Sequence, residues 1–266
     1  MESLHFTASR GILMRRILRS ILFAALALLP LPPFAFPLSS DDAEILASVQ
    51  AALDRSEDLG ERTSLKIKCD AGILTLGGTA DSLYALRRAV RRAGEIPGIL
   101  DVVVIALVSR HGVPDSQILI DVQNALRIPS FSSGGVQASV NSGRVLLTGT
   151  TGSYSQKLLA ENETSKVMGV VDIQNRIRVT AETNLEEPQL ARRVLSQLSG
   201  GLTAVPGRFQ VSMKGQVATL RGKVPLYLNR IEAEEMALSV PGVAEVDDRL
   251  VVDPSLVPSA AASITP

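Results

Sequence analysis

Three stretches of this chain carry the same internal spacing, and that repetition constrains the fold more than any other feature. Each contains a Leu-x-Gly: Leu76-Gly77-Gly78, Leu147-Thr148-Gly149 and Leu220-Arg221-Gly222. In each, a further glycine stands 20 residues after the last of these: Gly98, Gly169 and Gly242. The sequence around it reads PGILDV, MGVVDI and PGVAEV. Successive copies are offset by 71 to 73 residues. A fixed interval kept through otherwise diverged sequence marks a repeated structural unit.

Periodicity supplies the elements of that unit. A first helix is predicted from aliphatics at every fourth position: Ile45, Val49, Leu53; Ile118, Val122, Leu126; Leu190, Val194, Leu198. Acids or proline open it, at Asp41-Asp42, Pro114-Asp115 and Glu186-Glu187-Pro188, as suits a helix N-terminus. A strand follows with alternating apolar residues: Leu65, Ile67, Cys69; Val136, Ala138, Val140; Phe209, Val211, Met213. Turn residues then predict a hairpin: Asp70-Ala71-Gly72, Asn141-Ser142-Gly143 and Lys214-Gly215. The second strand ends at the Leu-x-Gly. A second helix follows, and Gly98, Gly169 and Gly242 are expected to end it with positive φ. Last strands are expected over Val102–Val108, Ile173–Val179 and Val246–Val252. The third hairpin reads as one residue longer, since Gly215 to Gly222 is seven steps against six elsewhere.

The fold class is therefore α+β: three tandem αββαβ units, each a small mixed three-stranded sheet packed by two helices. Expected boundaries are 41–109, 110–182 and 183–253, with a disordered tail over 254–266. Gly78, Gly149 and Gly222, like Gly98, Gly169 and Gly242, are assigned structural roles. Ala89, Ala160 and Ala233 recur nine residues before the last glycine, where a small side chain lets the helix sit close on the sheet. A unit of about 70 residues buries only ~60% of its unfolded surface, so packing between units or against a partner is expected.

Ahead of the repeats, Arg10, Arg15, Arg16 and Arg19 precede an apolar run from Ile21 to Leu29, then Pro30, Pro32, Pro33 and Pro37. A helix of that length reaches ~14 Å against a hydrocarbon core of ~30 Å. Residues 1–40 therefore read as a signal peptide, cleaved between about 35 and 40 in the ordinary secretory route, and the mature chain as periplasmic. Without that leader, which holds four Arg and one Glu, the chain has 23 basic and 26 acidic residues.

Composition narrows the chemistry. The chain has two His, one Cys and no Trp, and His5 lies in the leader. With only His111 left, neither a histidine-based metal site nor a Ser-His-Asp or Cys-His device is expected. Cys69 alternates with Leu65 and Ile67 and reads as a small buried hydrophobe. The sequence predicts no enzyme, no cofactor, no metal site and no nucleic-acid partner.

The αββαβ order, the G-V-x-L-x-G hairpin and the G-V-x-[DE]-V entry to the last strand resemble the BON domain, named for bacterial OsmY and nodulation proteins. The resemblance covers residues 41 to 253, as in an OsmY-type protein with three tandem copies. It implies an exported cell-envelope protein with a role in envelope integrity or osmotic stress, and peripheral phospholipid binding. The alternative is a protein-interaction scaffold or chaperone-like adaptor in the periplasm.

One cluster bears on that choice. Arg87, Arg88, Arg91 and Arg92 share a helix whose other face is Leu83, Leu86, Ala89, Val90 and Ala93. Their spacing predicts a solvated basic face, suited to anionic headgroups or to the acidic helix of another copy, which carries Glu232, Glu234 and Glu235. Four arginines near an anionic surface contribute ~4 kcal/mol at best. An apolar anchor must add to that, and the loop with Ile128 and Phe131 is the candidate. The expected partner is thus an anionic phospholipid surface or an envelope protein.

Overall fold

A computed structural model describes residues 40–56, 59–60, 62–128, 135–180, 185–202 and 209–257. The expected cleavage site, the second linker at 181–184, Phe131 and the tail beyond 257 lie outside these residues.

Unit one comprises α1 (Ser40–Asp54), β1 (Ser64–Asp70), β2 (Ile73–Ala80), α2 (Leu83–Gly94), β3 (Asp101–Val104) and β4 (Leu107–Val108). Unit two comprises α3 (Asp115–Ala125), β5 (Gln137–Asn141), β6 (Arg144–Thr148), β7 (Thr150–Thr151), α4 (Tyr154–Ser165), β8 (Asp172–Asn175) and β9 (Arg178–Val179). Unit three comprises α5 (Glu187–Gly201), β10 (Gln210–Lys214), β11 (Val217–Val224), α6 (Tyr227–Ser239) and β12 (Glu245–Val252). The hairpin strands pair antiparallel, and the last strand returns parallel on the far side of the central one. In all three units the parallel partner lies 28 residues downstream: Ile73 with Asp101, Arg144 with Asp172, Val217 with Glu245.

Local signals explain the second helices. Ser82 and Ser153 are N-caps whose hydroxyls accept from the N–H of Ala85 and Gln156. On α2, Leu83, Leu86, Ala89, Val90 and Ala93 are buried, the stripe expected of a helix lying on a sheet. The central strand answers with Leu74, Leu76 and Ala80, all fully buried.

The acids at the first helices do more than favour a helix start. Asp42 accepts from the backbone N–H of Ala71 and Gly72, both at 3.1 Å. Asp115 accepts from Ser142 at 2.6 Å and Gly143 at 2.9 Å. Glu187 accepts from Gly215 at 2.6 Å. Each unit thus ties its first helix to its hairpin turn through a carboxylate. The turn's carbonyl in turn accepts from the last strand's approach: Leu100 to Gly72, Val171 to Gly143 and Ala244 to Gln216, all at 2.9 Å.

Three expectations are corrected. The third hairpin is not longer. Asp70↔Ile73, Asn141↔Arg144 and Lys214↔Val217 close two-residue turns alike. Ala71-Gly72 and Ser142-Gly143 have positive φ at both positions, whereas in Gly215-Gln216 only the glycine does. That is a change from type I′ to type II′, which moves the glycine one place forward. Next, the last strands of units one and two are broken at Ile105-Ala106 and Arg176-Ile177, with register unchanged across the break. In unit one the Leu76 carbonyl accepts both N–H groups, from Ile105 at 2.8 Å and Ala106 at 3.0 Å, a local break in the ladder. β12 alone runs unbroken. Lastly, order continues past residue 253: Pro254–Leu256 form one 3-10 turn, capped by the Asp253 carboxylate.

Gly98, Gly169 and Gly242 have φ of 91°, 87° and 99°. They stand a few residues past the helices, in the turn that enters the last strand. A Cβ on Gly98 would lie 2.7 Å from Ile45 Cδ1, and one on Gly169 2.9 Å from Ile118 Cδ1. The glycine therefore lets this turn rest on the first helix, which is why the interval is fixed.

The three units do not form three separate cores. Residues of units one and three form one continuous apolar cluster, from Val49 and Val90 to Tyr227 and Val252. Unit two has its own, joined by Leu83 and Val108 of unit one. The second helices α2, α4 and α6 meet one another. At Gly94 a Cβ would lie 3.1 Å from both Tyr227 Cδ1 and Leu228 N, so a helical glycine admits α6.

Two outcomes follow. Gly98→Val lowers stability by ~1–3 kcal/mol in urea unfolding, whereas Gly200→Ala, in α5 with open space at its Cβ, gains up to ~1 kcal/mol. Asp115 is held below its ordinary value of 3.8, first by the Gly143 and Ser142 N–H groups, with Arg110 adding. Such a carboxylate stabilises the fold above that value, and the contribution disappears as pH falls through the folded-state pKa. The stability difference between the wild type and Asp115→Asn is therefore constant at neutral pH and shrinks below pH 3.8, as acid titration of the melting temperature will read.

Candidate functional site

The arginine cluster lies at the junction of the three second helices, not in open solvent. All four side chains sit on half-buried residues. Arg87 Nη2 donates to Glu161 Oε1 of α4 at 2.6 Å. The other oxygen of Glu161 accepts from Asn175 Nδ2 at 3.0 Å. Arg91 Nη1 donates to Glu235 of α6, to Oε1 at 3.0 Å and Oε2 at 3.2 Å. Arg92 Nη1 reaches Glu95 Oε2 at 3.5 Å within its own helix end, and Arg88 also has a partner. The solvated-face expectation is corrected here: the polar side of an amphipathic helix faces water only if nothing packs there, and α4 and α6 pack there. The expected pairing with an acidic helix of another copy is present within the chain.

The same junction explains the weak amphipathicity of α4. Its buried residues are Ala160, Glu161, Thr164 and Ser165. Thr164 and Ser165 satisfy their hydroxyls on the carbonyls of Ala160 and Asn162, at 2.7 and 2.6 Å. Glu161 uses Arg87 and Asn175. Beside them, burial drives the Tyr154 phenol far above its usual range, with the charges of Glu161, Glu234 and Glu235 adding. Burial lowers the Lys157 ammonium, opposed by Glu161. This polar layer aligns three helices. Its carboxylates are held by cations and amides, so it acts as a structural junction.

Ile128 is half-buried against unit two's core, and Phe131 lies outside the described residues. Ile128 thus packs with its own unit. Cys69 is fully buried, as expected, but also donates from Sγ to Asp42 Oδ1 at 3.3 Å. Burial, then the hydrogen bond and charge of Asp42, push its thiol up to about 11. His111 stands in the first linker at φ 52°. Its Nε2 lies 2.9 Å from the Asp81 carbonyl and 3.0 Å from Asp81 Oδ1, which ties the linker to the residue before the α2 cap. Among the described residues, no group of three or more His, Cys, Asp or Glu is placed to hold a metal.

Exposed large aliphatics gather elsewhere, on unit one's sheet: Ile73, Leu100, Ile105 and Leu107. The alternation in Val103-Ile105-Leu107 signals one face of a strand, and only the fold shows that this face is uncovered.

The junction generates one test. Arg87 and Glu161 are 22% and 11% exposed, Arg91 and Glu235 35% and 30%. Alanine double-mutant cycles will give ~1–2 kcal/mol for the first pair and ~0.5 kcal/mol for the second, because water screens the second more.

Among solved structures, two similar chains are the C-terminal domain of CdsD, a structural protein of the Type III secretion system of Chlamydia trachomatis, and a second structure of CdsD. The first is 14% identical, covering 79% of this chain and 98% of that one at a TM-score of 0.21. The second is 13% identical, covering 79% and 92%, also at 0.21. Scores this low carry no argument about arrangement. No match is found among curated proteins. The BON domain family matches residues 41–107, 114–181 and 186–254. Three αββαβ units, with the same two-residue hairpin and parallel register, fall on those three segments, and the chain belongs to the BON domain family.

Proposed function

We propose that this is an exported, non-enzymatic envelope protein of the periplasm that binds the phospholipid surface peripherally. The observation that carries the reading is the exposed aliphatic group Ile73, Leu100, Ile105 and Leu107 in a chain built of three BON domains. Exposed aliphatics concentrated on one sheet in this way mark an interaction site. No described helix is long and apolar enough to cross a membrane, which is compatible with attachment from one side. Because Arg87 and Arg91 are engaged by Glu161 and Glu235, the reading draws its apolar term from the sheet and not from the arginine helix. The scaffold alternative loses the feature that favoured it, since the acidic helix that meets the basic one is the chain's own.

Cosedimentation of the exported chain with vesicles of increasing phosphatidylglycerol content tests the proposal. Binding should rise with anionic lipid and weaken, but not vanish, at high salt, because only the charge contribution is screened. A chain that stays in the supernatant at every composition is not a phospholipid-binding protein.

A further inference from the structure

We propose that the outer face of unit one's sheet is the membrane-contacting surface, seated on anionic phospholipid. This rests on the phospholipid-binding reading above and names its site. Strand pairing lays that face out in rows. Lys66 lies opposite Gly77, and the Ile105 side chain lies over Gly77, 3.6 Å from where its Cβ would be. Lys68 is opposite Thr75, which pairs with Val103. Ser64 is opposite Thr79, which pairs with Leu107. Ile105 and Leu107 are 64% and 72% exposed. Four of the eight exposed large hydrophobics among the described residues belong to unit one's sheet and its entry turn, so the apolar surface is concentrated, not scattered.

The repeats provide an internal comparison. Where unit one has Val103, Ile105 and Leu107, unit two has Gln174, Arg176 and Arg178, and unit three has Asp247, Arg249 and Val251. Charges on such edge strands are the usual protection against unwanted association. Unit one lacks them at these three positions, its acids Asp70 and Asp101 standing at the turn end beside Ile73, and its first strand carries Lys66 and Lys68 opposite the middle of the face. Lys66 and Lys68 are exposed and have no hydrogen-bond or ion-pair partner among the described residues. Aliphatics flanked by unengaged ammonium groups match an anionic bilayer: side chains enter the headgroup and acyl boundary while the lysines extend to the phosphates.

Depth is limited by the backbone. The open strand edge carries polar groups that hydrocarbon cannot satisfy, so the sheet lies at the interface. The break in the last strand also weakens the competing occupant, an added strand. The N–H groups of Ile105 and Ala106 both turn inward to the Leu76 carbonyl, which interrupts the ladder a partner strand would need.

The test is vesicle cosedimentation of the exported chain and its variants, with phosphatidylglycerol–phosphatidylcholine vesicles at low and high salt. Ile105→Glu with Leu107→Glu should weaken binding roughly tenfold or more at both salts. Lys66→Glu with Lys68→Glu should weaken it at low salt only, and Val251→Glu, on the equivalent face of unit three, should leave it unchanged. The chain has no Trp, so Leu107→Trp gives a sole reporter that should shift to the blue on vesicle addition, while Val251→Trp should not. Wild-type binding that survives Ile105→Glu with Leu107→Glu, with an unmoved Leu107→Trp spectrum, overturns this face and leaves the phospholipid reading standing. A wild type that binds no vesicle overturns both. A dimer dissociated by Ile105→Glu, with vesicle binding intact, gives the face to a second copy and overturns the inference.

Discussion

A carboxylate at the start of each unit's first helix, bonded to backbone N–H groups of the hairpin turn, is the contact on which the rest of each unit depends. Asp42, Asp115 and Glu187 occupy the same place. A charged acceptor facing backbone donors is a strong hydrogen bond, and here it reaches 27 to 30 residues along the chain. The turn it fixes then takes the N–H that leads into the last strand. Helix, hairpin and parallel strand meet at one point. Shifting any one of them would leave polar backbone groups without partners beneath the first helix.

Much of this was legible in the residues. The αββαβ order, the hairpins and the positive φ at Gly98, Gly169 and Gly242 all follow from spacing and residue type. These are properties of one unit, decided by local sterics and hydrogen bonding. What escaped depends on which units touch. Arg87 and Arg91 resemble a solvated face because helical spacing shows that they share a side without showing what lies against it. Glu161 has no role that spacing within its own helix reveals, and it is the acceptor for Arg87. Gly94 had no local reason to be glycine, and its reason is Tyr227. The third hairpin misled for a different cause: glycine spacing counts positions, whereas the turn type decides which position glycine occupies.

The junction also shows how identical folds become unequal parts. The three second helices occupy corresponding places and carry different surfaces: basic on α2, polar on α4, acidic on α6. Half-buried cations are balanced by half-buried carboxylates, so each helix is suited to its neighbours and not to itself. Exchanging two units would set like charges together. The repeats are thus alike in backbone and specialised in contact, and the outer sheets diverge in the same way.

The constant register of 28 residues has a consequence for how the chain acquires its structure. Each sheet closes within its own unit, with no pairing that waits for a later repeat. A chain emerging N-terminus first can therefore build unit one's sheet early. Its apolar cluster, however, is completed by Tyr227, Ile231 and Val252 of unit three, which arrive last. Between those events unit one waits with an unfinished core, and that interval is when the chain is most open to capture by chaperones or to misassembly.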